Sequence, residues 1–382
     1  MKIAAIYRKI IPVELSYILK LFLFTRIILT VIGAVSRSVI LPIFKSDGIW
    51  PPTKCLAINT WVIWDSNWYL RIAEQWYLRM STVTGQTNFG FPPLYPLLIR
   101  ILGTVIKSNV IAGLFISNAS LLITGLFLYR LVKLDSNDNA LALRTVKYLF
   151  LAPAAFILSG VFTESLYLAL AVMIFYYAQK KKWLLVGILG LFLPLARPIG
   201  IFIIVPLLYE YYKNINFKFR ETKINLLLIV FLVPLGALIF LAYTYYLTGD
   251  WQVLARSKAI GWGCGIRNPF RAIFEALVNK NILSSLFGYF TLASLAAMCF
   301  FIRKIRFSQW IFGMYSIVLP PAFSMDAGQI FAMMRFLLPA FPLYMICAGL
   351  CKDSHIDEII TIFLALAQGA LMVIWSAGLI MV

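Results

Sequence analysis

The sequence has 382 residues, of which 62% are hydrophobic and only 13% are charged, with 34 Lys and Arg against 15 Asp and Glu. A soluble domain cannot bury so much apolar surface, and long apolar runs recur along the chain, so we predict a polytopic helical membrane protein. A net charge of +19 would indicate nucleic-acid binding in a soluble protein. Here Lys and Arg lie in short loops, which is typical of membrane topology and of contact with anionic lipid. We therefore expect no nucleic-acid partner.

The chain starts with a basic, amphipathic segment, residues 1–19, which we place in the cytoplasm. The apolar segment that follows has no small-residue cleavage site and is predicted to be a retained span, with Arg26 extending inward and Arg37 outward. We predict an all-α bundle of about eleven spans. Their ranges are 20–44, 109–132, 143–158, 160–179, 184–197, 199–212, 224–247, 283–302, 308–323, 335–351 and 358–381. Residues 1–382 are expected to form one integral membrane domain, because no polar linker separates a soluble part.

Two long outer loops are predicted, residues 45–108 and residues 248–282. Within the first, residues 91–106 are apolar but short and contain three prolines, which favours an in-plane or re-entrant segment. If that segment does not cross, all the strongly basic loops are cytoplasmic, as the positive-inside rule requires. Those loops lie at residues 130–147, 180–182, 213–223 and 303–306. The second outer loop is also basic, which favours contact with a lipid phosphate or anionic headgroups; a solvated loop is the alternative.

A polar stretch, WVIWDSNWYLRIAEQWY at residues 61–77, interrupts the apolar sequence in the first outer loop. At helical spacing Asp65, Trp68 and Tyr69 share one face, which predicts an interfacial helix. The simpler interpretation places the aromatic rings at headgroup level and leaves Asp65 solvated or capping the helix. The functional interpretation is a carboxylate beside aromatic side chains that bind a sugar. The candidates for substrate binding around Asp65 are Trp64, Trp68, Tyr69, Arg71 and Glu74.

Three more charged residues lie at the predicted outer ends of spans. Glu164 follows an outer turn, and a Glu facing lipid would be costly. Arg197 precedes Pro198, where the helix should break and expose N–H groups to anions. Arg335 begins another span. The structural alternatives are a Glu164 that caps its helix and an Arg197 that forms an ion pair with Glu164.

These charges fit glycosyl transfer from a lipid phosphate. The acceptor hydroxyl needs a base, for which Asp65 is the candidate, with Glu164 as the second catalytic acid. The leaving phosphate needs positive charge, which Arg197 and Arg335 would supply as donor-phosphate ligands. The sequence has one His, His355, and five scattered Cys, so neither a His-rich metal site nor a cofactor is expected.

The segments WD-x3-YLRIAE and FPPLYPLLIRIL resemble the PIG-V-like mannosyltransferases of the GT-C glycosyltransferase class. The family pattern reads roughly WDxxWYxxIAxxGY and then FFPLYP. Trp76 stands where the pattern has Gly, and Gly90 stands before Phe91 where the pattern has two aromatic residues. Segments at 159–168, 195–200 and 335–344 extend the resemblance over most of the chain. The resemblance implies a GT-C-type bundle and places the family's first-loop acid on Asp65.

The resemblance implies transfer of a sugar, mannose in this family, from a polyprenyl- or dolichyl-phosphate carrier. The acceptor would be a lipid, a glycolipid or a protein on the outer or luminal face of a bacterial inner membrane or the endoplasmic reticulum. An enzyme of the same architecture that uses another sugar fits equally. The alternative from another class is a transporter or flippase of lipid-linked sugars. A transporter predicts internal repeats and polar groups near the midplane, whereas no repeat is evident here and the acids lie near span ends.

Overall fold

The computed structural model describes residues 12–40, 42–43, 51–77, 87–218, 224–323, 330 and 332–379. Parts of the predicted cytoplasmic segment (1–11), of the first predicted span (41 and 44), of the first outer loop (45–50 and 78–86), of a basic loop (219–223) and of the last predicted span (380–381) lie outside the described residues. All regular structure in the described residues is helical. The all-α class is therefore confirmed.

The α-helices are numbered here along the described chain. They are α1 (Val13–Val39), α2 (Leu56–Asn59), α3 (Ser66–Gln75), α4 (Leu94–Ile106), α5 (Asn109–Ser136), α6 (Asn139–Leu151), α7 (Glu164–Gln179), α8 (Trp183–Ala196), α9 (Ile204–Asn214), α10 (Asn225–Thr248), α11 (Val253–Trp262), α12 (Pro269–Leu277), α13 (Ile282–Phe300), α14 (Phe307–Ala322), α15 (Met333–Leu337), α16 (Pro342–Leu350) and α17 (Ser354–Ser376). Short 3-10 helices lie at Asn88–Gly90, Ala155–Ser159, Pro198–Ile203 and Ile302–Lys304.

Five of the described helices, α1, α5, α10, α13 and α17, are long and apolar enough to cross a membrane, which makes this an integral multi-pass membrane protein. The other predicted spans coincide with shorter or divided helical segments. Residues 143–158 form α6 and a 3-10 helix, residues 199–212 a 3-10 helix and α9, and residues 335–351 parts of α15 and α16. The predicted number of about eleven spans therefore stays a prediction.

Helix α4 has 13 residues and is roughly 20 Å long, shorter than the roughly 30 Å of a hydrocarbon core. It ends at Lys107 in the left-handed conformation, and α5 starts two residues later. The corner is tight: a Cβ on Gly103 would lie 2.1 Å from Asn109 Oδ1, so a larger residue would require the Asn109 side chain to move. That residues 91–106 form an in-plane or re-entrant segment stays a prediction.

Helix α7 is mostly buried and packs against α5, α8 and α9.

A second network of charges lies far from Glu164, the first residue of α7. Arg306 Nε lies 2.6 Å from Asp135, and Arg306 Nη1 lies 2.9 Å from Glu210. Ser308 and Gln309 donate to the same two carboxylates. This network joins the last turns of α5 and α9 to the start of α14. Two of the predicted basic loops, 130–147 and 303–306, therefore meet at one end of the bundle, beside the part of α9 that leads into a third, 213–223.

Arg26 does not extend toward the cytoplasm, so that prediction is wrong. The side chain is buried, and its Nη1 donates to the Ala155 carbonyl at 3.1 Å and to Ser159 Oγ at 2.9 Å. Its Nη2 and Gln368 Nε2 both donate to the Phe150 carbonyl, at 3.1 and 2.9 Å. The chain between α6 and α7 is not a continuous helix, and free carbonyls cannot be left bare in lipid. Arg26 therefore stabilises this break.

Arg37 lies at the opposite end of α1 from the N-terminal segment, as its predicted outward direction requires. It is buried, and its Nη1 donates to the Asn59 carbonyl at the end of α2. Asn59 in turn holds Thr53 through its side chain. Arg37 thus attaches the first outer loop to the bundle.

Candidate active site

Asp65 immediately precedes α3, but its side chain does not cap that helix. Its Oδ2 instead accepts a hydrogen bond of 2.8 Å from Arg335 Nη1. The turn that places Asp65 there is strained, because the preceding residue Trp64 has φ of +55°, a conformation that bulky side chains rarely adopt. Such strain costs about 1–3 kcal/mol and is concentrated at functional sites. Because the Asp65 carboxylate binds Arg335 and not the N–H groups of α3, the capping interpretation of Asp65 is wrong.

Four charged side chains form a row that we call the charge chain: Asp65, Arg335, Glu164 and Arg197. Arg335 bridges the two carboxylates, with Nη1 on Asp65 and Nε on Glu164 Oε1. Arg197 Nη1 lies 2.7 Å from the same Glu164 oxygen. All four were predicted as site residues from separate segments, and the structure brings them into direct contact. With two acids and two arginines, the chain is electrically balanced.

Burial increases along this row and then falls again. Glu164 is fully buried and the Arg335 side chain is 4% exposed, whereas Asp65 and Arg197 are 16% and 15% exposed. Only the two ends of the charge chain are therefore open to a ligand or solvent. Asp65 is the exposed acid, which is the position that a base for an incoming hydroxyl requires.

The helix break predicted before Pro198 is confirmed. Arg197 ends α8 in an extended conformation, with φ of −149° and ψ of 136°, and a 3-10 helix begins at Pro198. The 3-10 helix folds back on α8 so closely that a Cβ on Gly200 would lie 2.6 Å from the Leu193 backbone. This break places the Arg197 guanidinium beside the first residue of α7.

Several buried polar atoms near the charge chain have no hydrogen-bond partner among the described residues. They include Glu164 Oε2, Ser165 Oγ and Trp64 Nε1. Arg197 Nη1, although close to Glu164 Oε1, is not aligned for a hydrogen bond. Each unsatisfied buried group costs about 1–3 kcal/mol, so groups of this kind indicate a place that a polar ligand or water completes.

Trp68 and Tyr69 lie on the Asp65 side of α3, as predicted. Tyr69 OH lies 3.3 Å from Thr163 Oγ1, next to Glu164, and its ring is edge-on to Phe91 and Tyr95. Burial, reinforced by the charge of Glu164, raises the pKa of the Tyr69 hydroxyl well above its usual range. Tyr69 therefore keeps a neutral hydroxyl beside the charge chain.

Arg71 and Glu74 are exposed on α3, and the structure does not bring them to the charge chain. The reason is helical geometry: at about 100° per residue, positions 71 and 74 point away from the face of Asp65. A substrate-binding role for these two residues keeps its basis in the sequence pattern alone.

Trp76 occupies a backbone position that favours glycine. It ends α3 with φ of 66° and ψ of −158°, a region that is essentially limited to glycine. The indole is held by a hydrogen bond from its Nε1 to Tyr243 OH and by edge contacts with Tyr77 and Tyr243. These contacts, which reach α10, compensate for the strained backbone.

Lys258 was not among the predicted site residues, although the basic character of the second outer loop was a signal. It lies on α11, which packs on the Asn88–Gly90 turn, and Thr87 Oγ1 donates to Ser257 Oγ at 2.7 Å. Lys258 Nζ is 4.8 Å from the Phe91 ring centroid and 4.6 Å from that of Trp262. The second outer loop therefore contributes a cation next to the aromatic side of the site.

The contact between Arg197 and Glu164 predicts coupled stability. Arg197→Met and Glu164→Gln should each lower the unfolding temperature in detergent. The double variant should lose less than the sum of the two, with a coupling of about 0.5–3 kcal/mol as expected for residues in one network. Thermal unfolding of the three variants and wild type measures this. Losses that add to within about 0.5 kcal/mol would show that the ion pair does not stabilise the fold.

No protein-family model and no curated protein matches the sequence, so membership of the PIG-V-like family stays a prediction. Among solved structures, ArnT from Cupriavidus metallidurans bound to undecaprenyl phosphate is similar to this protein. The two sequences are 9% identical, the similarity covers 94% of this chain and 76% of that chain, and the TM-score is 0.53. The Archaeoglobus fulgidus oligosaccharyltransferase tethered with an acceptor peptide has 12% identity over 94% of this chain and 55% of that one, with a TM-score of 0.45. The predicted GT-C-type fold is confirmed.

Proposed function

We propose that this protein is a glycosyltransferase that moves a sugar, mannose by the resemblance in its motifs, from a polyprenyl-phosphate carrier to an acceptor hydroxyl. The observation that carries the proposal is the charge chain, in which a partly exposed carboxylate is fixed by a buried arginine. The likeness in fold to ArnT, whose crystal structure contains undecaprenyl phosphate, supports a carrier of that class. The site is assigned to the outer or luminal face on the positive-inside rule.

Asp65 is the proposed base. Arg335 engages one of its carboxylate oxygens, Oδ2, and no group in the described part of the chain engages the other. That free oxygen accepts the proton of the acceptor hydroxyl as the hydroxyl oxygen attacks the anomeric carbon of the sugar. The bond between this carbon and the phosphate oxygen breaks, and its electron pair remains on the phosphate. The step needs no further co-reactant.

Arg335, Arg197 and Glu164 have supporting roles in this proposal. The leaving phosphate gains negative charge, which fixed guanidinium groups stabilise without having to reorganise. Arg197, at the exposed end of the charge chain, is the better placed to contact the donor phosphate, and Arg335 acts from behind the carboxylates. Glu164, fully buried between them, positions both arginines rather than transferring a proton.

Aromatic rings next to Asp65 would hold the sugar. Trp68, which is partly exposed, stacks on Phe91 with ring centroids 5.7 Å apart, and the buried Tyr69 hydroxyl lies near Glu164. Such rings offer apolar faces to the C–H groups of a sugar and a polar edge to its hydroxyls. The transporter alternative would place polar groups near the middle of the spans. Glu164 instead starts α7 and Arg197 follows the end of α8.

Transfer by purified protein tests this proposal. The protein in proteoliposomes is supplied with extracted membrane lipids as acceptors and with polyprenyl-phosphate donors that carry radiolabelled mannose, glucose or arabinose. We expect labelled product from the mannose donor. Product from another donor alone would overturn the choice of mannose and keep the enzyme class. Absence of product from all three donors, with folded protein, would contradict the proposed function.

A further inference from the structure

The positive and negative charges of the charge chain are equal in number. Lys258 adds a fifth charge, which is positive and has no carboxylate partner among the described residues. No described carboxylate forms an ion pair with its ammonium group, whereas both arginines of the chain are paired. Its ammonium lies over the rings of Phe91 and Trp262, and Trp68 packs on both of these rings. We call Trp68, Phe91 and Trp262 the aromatic box. A lysine is costly to desolvate, and ring faces offset only about 0.5–2 kcal/mol of that cost. The charge of this half-buried ammonium is therefore available to an anionic ligand.

The aromatic box is a built feature rather than a chance contact. Phe91 stacks on Trp68 and meets Trp262 edge-on at 5.5 Å, while Trp68 and Trp262 are 6.0 Å apart. Gly90 leaves room for the lysine, since a Cβ there would lie 3.0 Å from Lys258 Cε. A larger residue at position 90 would require the lysine stem to shift.

Lys258 is close enough to the charge chain to be affected by it. Burial lowers the pKa of its ammonium, the negative charge of Asp65 raises that pKa, and the positive charges of Arg335 and Arg197 lower it again. Together the five groups carry three positive and two negative charges. An anion that arrives next to Asp65 therefore meets a net positive site only because Lys258 is present.

We infer that Lys258, held in the aromatic box, makes a second ionic contact with the phosphate of the lipid-phosphate donor, in addition to that of Arg197. This inference rests on the proposed function and assigns part of the donor's charge to the second outer loop. The guanidinium groups of Arg335 and Arg197 already contact carboxylates, so a phosphate there must compete with Asp65 or Glu164. Lys258 has no such competitor, and its flexible stem can follow the phosphate as the sugar leaves.

Lys258→Met tests the assignment, because Met keeps the stem and packs well on aromatic rings while the charge is removed. Lys280→Met makes the same change at an exposed lysine of the same loop. Binding of radiolabelled undecaprenyl phosphate to each purified protein in nanodiscs is measured, with thermal unfolding as a check of the fold. We expect at least a tenfold rise in Kd for Lys258→Met and no change for Lys280→Met. Lys258→Arg should retain most of the affinity.

Three comparisons separate the outcomes. Neutral undecaprenol should not distinguish Lys258→Met from wild type, since the lost interaction is with the phosphate. Phosphatidylglycerol and inorganic phosphate should not displace the labelled lipid from wild type at equal concentration; displacement by either would show a general anion site and overturn the inference. Equal binding of undecaprenyl phosphate by Lys258→Met and wild type would overturn it while leaving the proposed function intact. A wild-type protein that binds no undecaprenyl phosphate would overturn both.

Discussion

Asp65→Asn should reduce sugar transfer about 100-fold or more and leave the protein folded. The Asn side chain keeps a carbonyl oxygen that can accept the hydrogen bond from Arg335, so the geometry of the charge chain should persist. It cannot take a proton, and a positioned general base contributes about 10² to 10⁴ to a rate. Initial rates of transfer at saturating donor measure the loss, and the donor Kd should change much less than the rate.

Asp138→Asn is the matched control for this variant. Asp138 is an exposed N-cap of α6, and Asn caps a helix as well as Asp does. We expect wild-type transfer from Asp138→Asn. Transfer close to the wild-type rate by a folded Asp65→Asn protein would remove Asp65 from the mechanism.

Arg335→Met should have the largest effect on stability. Among the described residues, it removes the one side chain that contacts both Asp65 and Glu164, and it leaves Glu164 fully buried with a single, poorly aligned arginine. Breaking a buried ion pair by removing one partner costs about 3–5 kcal/mol. We therefore expect a clearly lower unfolding temperature in detergent, together with loss of transfer.

The double variant Arg335→Met, Glu164→Gln should recover part of the stability, because the buried charge that had lost its partner is also removed. It should not recover transfer, since the positive charge behind Asp65 is still missing. Arg256→Met is the control: Arg256 is 64% exposed and forms a surface ion pair with Asp250, which is worth little. An unfolding temperature for Arg335→Met equal to that of wild type would show that the bridge is not structural.

Much of this fold can be predicted from the apolar pattern alone. Residues 109–132 and 224–247, for example, were predicted as spans and form α5 and α10 with nearly the same bounds. Glu164 and Arg335 could be recognised as site residues because a charge at a span end is costly unless it is used. That Arg335 bridges two acids could not be predicted, since Asp65 lies 270 residues away along the chain. A sequence pattern gives the end of a helix but not the distance between two ends.

Other features could not be predicted from the sequence, because they depend on contacts between segments that are distant along the chain. Lys258 reaches the site because α11 packs on the turn at Asn88–Gly90, a contact between two distant loops that has no periodic signal. Arg26 was expected at the membrane surface, but the broken chain before α7 needs its donors. Arg71 and Glu74 shared a motif with Asp65 without sharing its helix face. In each case the local residue type was informative, and the partner was set by packing.

The central claim is that the charge chain catalyses transfer of a sugar from a lipid phosphate. The most direct measurement follows radiolabelled polyprenyl-phosphate mannose and its acceptor in proteoliposomes of wild type and Asp65→Asn. We expect wild type to release polyprenyl phosphate and labelled product in equal amounts, and Asp65→Asn to leave the donor intact. If the label stays on the donor while the donor moves between leaflets equally in both proteins, the protein is a transporter of lipid-linked sugars and the charge chain does not catalyse sugar transfer.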